Sequence, residues 1–217
     1  ALRQFDRLFF QHIGLTLHGV IHAVFQSVGG GRLTARPASR LRVEMRRVAR
    51  FANALMLFSD LALLKLGKSL KERESLSARL GDVLSFLFMA MNVIKQFHDR
   101  GQLDEEYAFA RWAIDYCLYQ AGQSLSQFIA NFPGKWSVWL LRCLVFPFGV
   151  PINYPRDEWN AALAQGLTTP SRVREFLTST CYVGDEDHAI GRVIAAWQAV
   201  LAAQPPRLSS MPSVSIN

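Results

Sequence analysis

The stretch SLKERESLSARLGDVLSFLFMAMNVIKQFHDRG, residues 69–101, decides the fold. From Ser75 onward its apolar residues recur at spacings of three and four, the period of a helix and not of a strand. Between Val83 and Ile94 it is apolar almost all round, which predicts a central helix enclosed on every side. Gly101 marks its end. Gly81 stands inside the run, where a glycine costs about 1 kcal/mol relative to alanine, so a second helix is expected to cross closely there. Arg73, Glu74, Arg79 and Asp82 lie at helical ion-pair spacing around that crossing. The segment reads as an element that holds a bundle together, without a catalytic arrangement of its own.

Helical patterning continues on both sides. Downstream, Asp104-Glu105-Glu106 puts acids where a helix dipole favours them, and Tyr107, Ile114, Leu118, Ala121, Leu125 and Phe128 carry the stripe on to Pro133-Gly134. Upstream, Leu41, Met45, Val48, Ala52, Leu55, Ser59, Ala62 and Leu66 trace a helix from about Arg40 to Leu66, with Gly67 as its C-terminal cap. Before it, Leu2, Phe5, Phe9, Ile13, Leu17, Val20 and Val24 form one stripe over residues 2–28, which Gly29-Gly30-Gly31 ends. After Gly134 the helices shorten, to residues 136–146, 156–166, 171–179 and 187–203, the last with Ile190, Val193, Ile194, Trp197 and Leu201 on one face. Neither strand alternation nor an internal repeat is visible. The expectation is a single all-α domain over residues 1–206. Four long helices form an up-and-down bundle over residues 1–134, and residues 135–206 form a smaller C-terminal helical subdomain. Residues 207–217 are expected to be a disordered tail.

The composition agrees with that class. The 217 residues are half hydrophobic, which excludes a disordered chain, and 24 basic against 17 acidic side chains leave a charge of +7. Cys117, Cys143 and Cys181 are sparse and far apart, as buried thiols in a reducing compartment would be. No signal peptide or membrane span is apparent. The apolar stretch from Trp136 to Tyr154 is broken by Arg142, Pro147 and Pro151. A cytoplasmic protein is expected, free or in peripheral contact with a membrane. Ala1 enters directly into an amphipathic pattern without an initiator Met or a cap, so the chain is expected to be a piece of something longer.

The residues that could carry chemistry are few. His18 and His22 stand four apart, with His12 before them, yet no third ligand or intervening carboxylate completes a metal site. No nucleophile elbow, P-loop or dinucleotide fingerprint is present, and nothing assembles a base, a nucleophile and an oxyanion site. Catalytic, cofactor-binding and metal residues are therefore all expected to be absent. Arg32, Arg36, Arg40, Arg42, Arg46, Arg47 and Arg50 form a basic run with one acid, Glu44. Such a run suits a solvated face, anionic lipid or an acidic partner. Without interleaved aromatic residues it does not suit nucleic acid. Trp136, Trp139, Phe146, Phe148 and Tyr154 flank a short apolar run, a pattern that fits either a membrane interface or a buried helix end.

The opening segment also carries a resemblance. Its Leu70-Lys71, Arg73-Glu74 and Ser77-Ala78-Arg79-Leu80-Gly81-Asp82-Val83-Leu84-Ser85 closely resemble the carboxy-terminal domain of bacterial FAD-dependent long-chain acyl-CoA dehydrogenases of fatty-acid β-oxidation. Phe5 to Gly14, Ser59 to Ala62, Leu66-Gly67, Asp115 to Ala121, Asn131-Phe132-Pro133 and Phe146 to Gly149 match further positions. His188 to Gly191 matches more weakly. The tail after Pro206 matches nothing in the family. The resemblance implies an oxidoreductase whose flavin and acyl thioester lie upstream of this region. Its catalytic glutamate belongs to an E-G motif that has no match here, which leaves Glu72, Glu74 and Glu158 with surface or ion-pair roles. The motif residues Arg73, Glu74, Ser77, Arg79, Gly81 and Asp82 are thus structural.

By the same resemblance this domain scaffolds, dimerises or docks its enzyme, with the catalytic core of the parent and a second copy as partners. FAD belongs to the parent and is not expected on this chain alone. Arg40, Arg42, Arg46, Arg47 and Arg50, together with Trp136 and Trp139, are the candidate membrane or partner surface. The alternative is a free-standing helical module that binds lipid or protein through the arginine face. An isolated chain is expected to self-associate through the helix from Leu2 to Val28.

Overall fold

Three long helices carry the architecture. The computed structural model describes residues 40–185 and 187–203, together with Gln4, Arg7, Phe10, Gln11 and Gly14. The helix expected over residues 2–28 lies outside the described residues apart from those five, and so do His12, His18, His22 and the expected tail, residues 207–217. Among the described residues there are seven α-helices and no strand, which makes the fold all-α.

Helix α1 (Arg42–Leu66) ends at Gly67, whose N–H donates to the Leu63 carbonyl. A short 3-10 turn (Gly67–Leu70) reverses the chain into α2 (Glu74–Asp99), and α3 (Asp104–Asn131) follows after a tight connection. In that connection Gln102 takes a positive φ of 57°, donates its N–H to the Phe97 carbonyl at 2.9 Å, and accepts the Arg40 N–H at 3.0 Å through its side chain. The α2–α3 turn therefore clamps the start of α1. Asp104, Glu105 and Glu106 occupy the first turn of α3 as the dipole favours, and Arg100 pairs with Glu106 at 2.6 Å across the turn.

Leu80, Val83, Leu87 and Ile94 of α2 interlock with Ile114, Leu118, Leu125 and Phe128 of α3, and Val48, Phe51 and Phe58 of α1 close the core. The Phe58 and Phe128 rings meet edge-on, with centroids 6.0 Å apart, and Phe128 leans on Phe132 at 5.3 Å. Such pairs contribute about 0.5–1.5 kcal/mol beyond area burial.

The shorter helices are α4 (Lys135–Val145), α5 (Asp157–Thr168), α6 (Arg172–Thr178) and α7 (Ala189–Ala203). Helix α4 contributes Val138, Val145 and the following Phe146 to the same core. Helix α5 seats on α3 through Trp159, whose ring meets Tyr107 edge-on at 6.4 Å, while Trp112 donates to Asn160 at 2.9 Å. Between α4 and α5 the chain passes over Gly122 of α3. A side chain there would meet the Pro151 carbonyl at 3.1 Å and the Phe51 ring at 3.6 Å, which is why a glycine sits mid-helix.

By its contacts the chain divides into Ala1–Val173 and Arg174–Asn217, so α4 and α5 belong with the long helices. Within the second unit, the Arg174 guanidinium lies 3.7 Å from the centre of the Trp197 ring.

One expectation about α2 fails. Its Val83–Ile94 stretch is not enclosed: Leu84, Phe88, Met89 and Met91 are exposed, while Leu80, Val83, Leu87, Ala90 and Ile94 are buried. One face meets α3, and no described residue covers the outer one. This helix alone among those described is long and apolar enough to cross a membrane by length and composition, with a mean hydropathy of 1.3. A core helix passes the same test, and the buried face against α3 is that of a core helix.

Candidate docking surface

The arginine run begins as sequence and becomes, in large part, internal stapling. Arg40 pairs with Asp104 of α3 and lies over the Tyr107 ring at 4.9 Å. Arg47 pairs with Asp115. Arg50 donates to the Val145 carbonyl at 2.9 Å, satisfying the end of α4, and its guanidinium lies 4.9 Å from the Phe146 ring centre. Burial pushes the Arg50 pKa below its ordinary value. Arg42 is exposed and Arg46 half-buried.

Glu44, the one acid in the run, is only 2% exposed and faces Arg111 Nε at 3.4 Å. Arg111 also donates to the Tyr107 hydroxyl at 3.1 Å and lies over Trp159 at 5.2 Å. Burial opposes the Arg111 charge, yet the Tyr107 bond and the nearby Glu44 and Asp115 carboxylates bring its pKa above the ordinary value. Pattern reading missed Glu44 as a buried group. The signal was a lone acid on the face of α1 that carries Leu41, Val48 and Leu55 inward.

The family-like motif opens α2 on its outside. The Arg73 carbonyl accepts from the Leu76 and Ser77 N–H groups, and the Ser77 hydroxyl donates to the Glu74 carbonyl at 3.0 Å. Two expectations are corrected here. Among the described residues no ion pair joins Arg73, Glu74, Arg79 and Asp82 to one another. Nor does another described helix cross at Gly81: a Cβ placed there meets nothing within 4 Å.

Gly81 instead heads an open stripe that continues through Leu84, Phe88 and Met91. With Met45, Val48, Ala49, Ala52, Leu55 and Met56 of α1, these α2 residues and Leu87 line a groove of about 640 Å³. No lining side chain carries a hydrogen-bonding donor, so the groove does not fit the pyrophosphate or ribityl chain of a flavin.

The second open feature is the outer edge of α4. Val138 and Val145 anchor this helix in the core, while Trp136, Trp139 and Leu140 are 82%, 51% and 65% exposed. The two indoles meet edge-on with centroids 6.0 Å apart, and Lys135 stands exposed beside them at the start of the helix. Phe148, three residues past the helix end, is 96% exposed. Two indoles and a leucine that each keep half or more of their surface in water are what an interaction patch on a small domain presents. Phe146 lies on the opposite side, fully buried, and Tyr154 packs its ring edge-on against Tyr116 and Tyr119.

Thiols complete the inventory. Cys117 is buried, Cys143 half-buried and Cys181 exposed, so the expectation of three buried thiols holds only for the first. Burial raises the Cys117 pKa. No cluster of three metal-ligating side chains exists among the described residues.

Comparison with known proteins follows the same line as the motif. Residues 1–209 match the family described as acyl-CoA dehydrogenase, C-terminal, bacterial type. No solved structure matches the chain. The match runs through every helix described above and includes the Ser77 to Ser85 motif of α2. The chain belongs to the bacterial-type acyl-CoA dehydrogenase C-terminal domain family.

Proposed function

We propose that this chain is the non-catalytic docking module of an FAD-dependent acyl-CoA dehydrogenase of fatty-acid β-oxidation, and that it holds the enzyme at a membrane surface through the outer edge of α4. The supporting observation is the exposed Trp136–Trp139–Leu140 edge beside Lys135, on a helix whose other face is locked into the core. Indole rings prefer the headgroup region, and a short helix with an apolar edge lies in the interface without spanning it. The arginines play a smaller part than the charge run implied, because Arg40, Arg47 and Arg50 are tied to α3 and α4. Arg40 and Arg42 are the exposed members of the run, and Arg40 is engaged by Asp104. The catalytic core of the parent enzyme is the second partner of the module, and a second copy a third. The flavin and the catalytic base are supplied by that core.

The test is co-sedimentation of the purified chain with phosphatidylglycerol-rich and with neutral phosphatidylcholine vesicles. Wild type is expected to pellet with both, somewhat better with the anionic one. Trp136→Ser with Trp139→Ser should weaken binding at least about tenfold, since each indole carries 150–250 Å² of surface. Arg42→Gln should weaken binding to the anionic vesicles by about fivefold, the worth of roughly 1 kcal/mol for one basic side chain near the surface. Loss of binding in the Arg42 variant with none in the tryptophan variant would overturn the reading, and so would a wild type that stays in the supernatant with both vesicles.

A further inference from the structure

While the arginines of α1 are tied to its neighbours, the turn that follows α1 carries bases of a different kind. We infer that Lys65, Lys68 and Lys71 form a collar for anionic phospholipid headgroups, and that the domain meets the bilayer with this end of the bundle first. The inference rests on the membrane reading of α4, and adds the class of lipid and the end of the module that faces it.

Local structure sets the collar. Leu66 and Leu70 pack against the core, and the Ser69 hydroxyl donates to the Leu66 carbonyl at 2.8 Å, which fixes the turn. Gly67–Leu70 is a 3-10 helix, in which residues three apart lie on one side. Lys68 and Lys71 therefore share a side, and Lys65, three residues earlier in the last turn of α1, extends the row. All three are exposed. No hydrogen bond or ion pair among the described residues engages their ammonium groups.

Topology sets its place. Arg40 meets Asp104, Arg47 meets Asp115 and Phe58 meets Phe128, so α1 and α3 run in the same direction and α2 returns between their ends. The turn after α1, the end of α3 and the start of α4 consequently lie at one end of the bundle. Lys135 and Trp136 open α4 there.

Charge separates the two ends. Residues 65–74 hold four bases against two acids, Glu72 and Glu74, and Lys135 adds a further base. At the other end residues 95–106 hold two bases against four acids, which Arg40 and Arg42 only bring to balance. An anionic surface therefore attracts the lysine end and not the other. Apolar groups then decide the kind of surface. Leu63 and Leu64, beside Lys65, are 59% and 83% exposed. Lysines interleaved with exposed leucines and an indole suit a bilayer interface, where ammonium groups reach the phosphates and the apolar groups enter below them. An acidic protein face answers the lysines alone.

The test uses the full 217-residue chain in co-sedimentation with phosphatidylglycerol-rich and with neutral phosphatidylcholine vesicles. Lys65→Gln, Lys68→Gln and Lys71→Gln together should weaken binding to the anionic vesicles at least about tenfold, since one basic side chain near such a surface is worth roughly fivefold. Binding to the neutral vesicles should stay at the wild-type level. Raising the salt from about 0.1 M to about 1 M shortens the screening length from about 10 Å to about 3 Å. That change should erase the wild-type preference for anionic vesicles and leave the triple variant nearly unmoved. Lys95→Gln, the same loss of charge at the opposite end, should change binding by less than about twofold. A triple variant that matches wild type on anionic vesicles overturns the collar alone, and assigns the lysines to an acidic protein surface. Equal losses from Lys68→Gln and Lys95→Gln overturn the end-first placement, because net charge then suffices. A wild type that binds neither vesicle overturns the docking reading and this inference together.

Discussion

Removing Arg111 is the perturbation whose size the structure sets most directly. Glu44 sits in the α1–α3 seam at 2% exposure, and Arg111 Nε stands 3.4 Å from its carboxylate. At an effective dielectric near 20 that attraction is about 5 kcal/mol. The Arg111 side chain is 36% exposed, so solvent screening roughly halves the figure. Loss of its bond to Tyr107 and of its contact with Trp159 adds about 1 kcal/mol. Arg111→Met keeps much of the stem volume and should therefore destabilise the fold by about 3 kcal/mol, chiefly by leaving Glu44 buried without its counter-charge. In urea unfolding at pH 7, followed by circular dichroism, a slope of about 2 kcal/mol/M turns this into a midpoint drop of about 1.5 M. Adding Glu44→Gln to Arg111→Met should recover more than half of the loss, since the buried charge goes with it. A single variant whose midpoint moves by less than about 0.3 M would refute the reasoning. So would a double variant that unfolds more easily than the single.

Four further outcomes follow from the core, a turn and the thiols. Phe58→Ala, at a fully buried ring set edge-on against Phe128, should cost about 3–5 kcal/mol in the same urea assay. Gly134→Ala should lower the thermal midpoint by several degrees. Gly134 enters α4 at φ 97°, a left-handed conformation that strains a Cβ-bearing residue by about 1–2 kcal/mol. A thiol reagent on the folded chain should modify Cys181 first, Cys143 more slowly and Cys117 only on unfolding. Cys117 also sets an alkaline slope. Its folded pKa is raised above the ordinary 9.0, so its contribution to stability is complete below that value and is lost as the pH climbs toward the folded one. Cys117→Ala should flatten the fall of the urea midpoint between pH 8 and pH 10, and a slope equal to that of wild type would count against burial as its cause.

Much of the fold was readable because helices bury one stripe and leave a period behind. Arg42–Leu66, Glu74–Asp99 and Asp104–Asn131 lie within two residues of where their stripes placed them, and Gly67 ends α1 as expected. The failures are equally physical. Leu84, Phe88 and Met91 read as core because apolarity alone does not say which neighbour arrives. Gly81 read as a crossing point, yet a Cβ there would meet nothing within 4 Å. The arginine run read as one surface because spacing along α1 does not show that Asp104, Asp115 and the Val145 carbonyl stand opposite three of its members. On the candidate docking surface, Trp136 and Trp139 were visible as residue types. Their exposure follows from the burial of Val138 and Val145 on the other side of the same helix, which only packing decides.

That exchange of roles carries the functional argument furthest. Five arginines in eleven residues would ordinarily mark the face a domain turns to water or to lipid. Here three of them act as ties, each at a different junction: Arg40, exposed just before α1, to the start of α3, Arg47 of α1 to the middle of α3, and Arg50 of α1 to the end of α4. The Arg50 tie fastens the C-terminal end of α4 to α1 while the outer edge of α4 remains exposed. A rigid backing matters for an apolar edge, because indoles on a fixed helix lose little freedom when they enter an interface and so retain more of the transfer free energy. The stapled arginines and the exposed tryptophans thus form one arrangement, and Arg50 is the residue that joins them. Arg50→Met should loosen the end of α4 and weaken vesicle binding severalfold, although Arg50 itself is turned inward onto Phe146. If vesicle binding stays at the wild-type level while proteolysis shows α4 loosened, rigidity is not part of the docking mechanism.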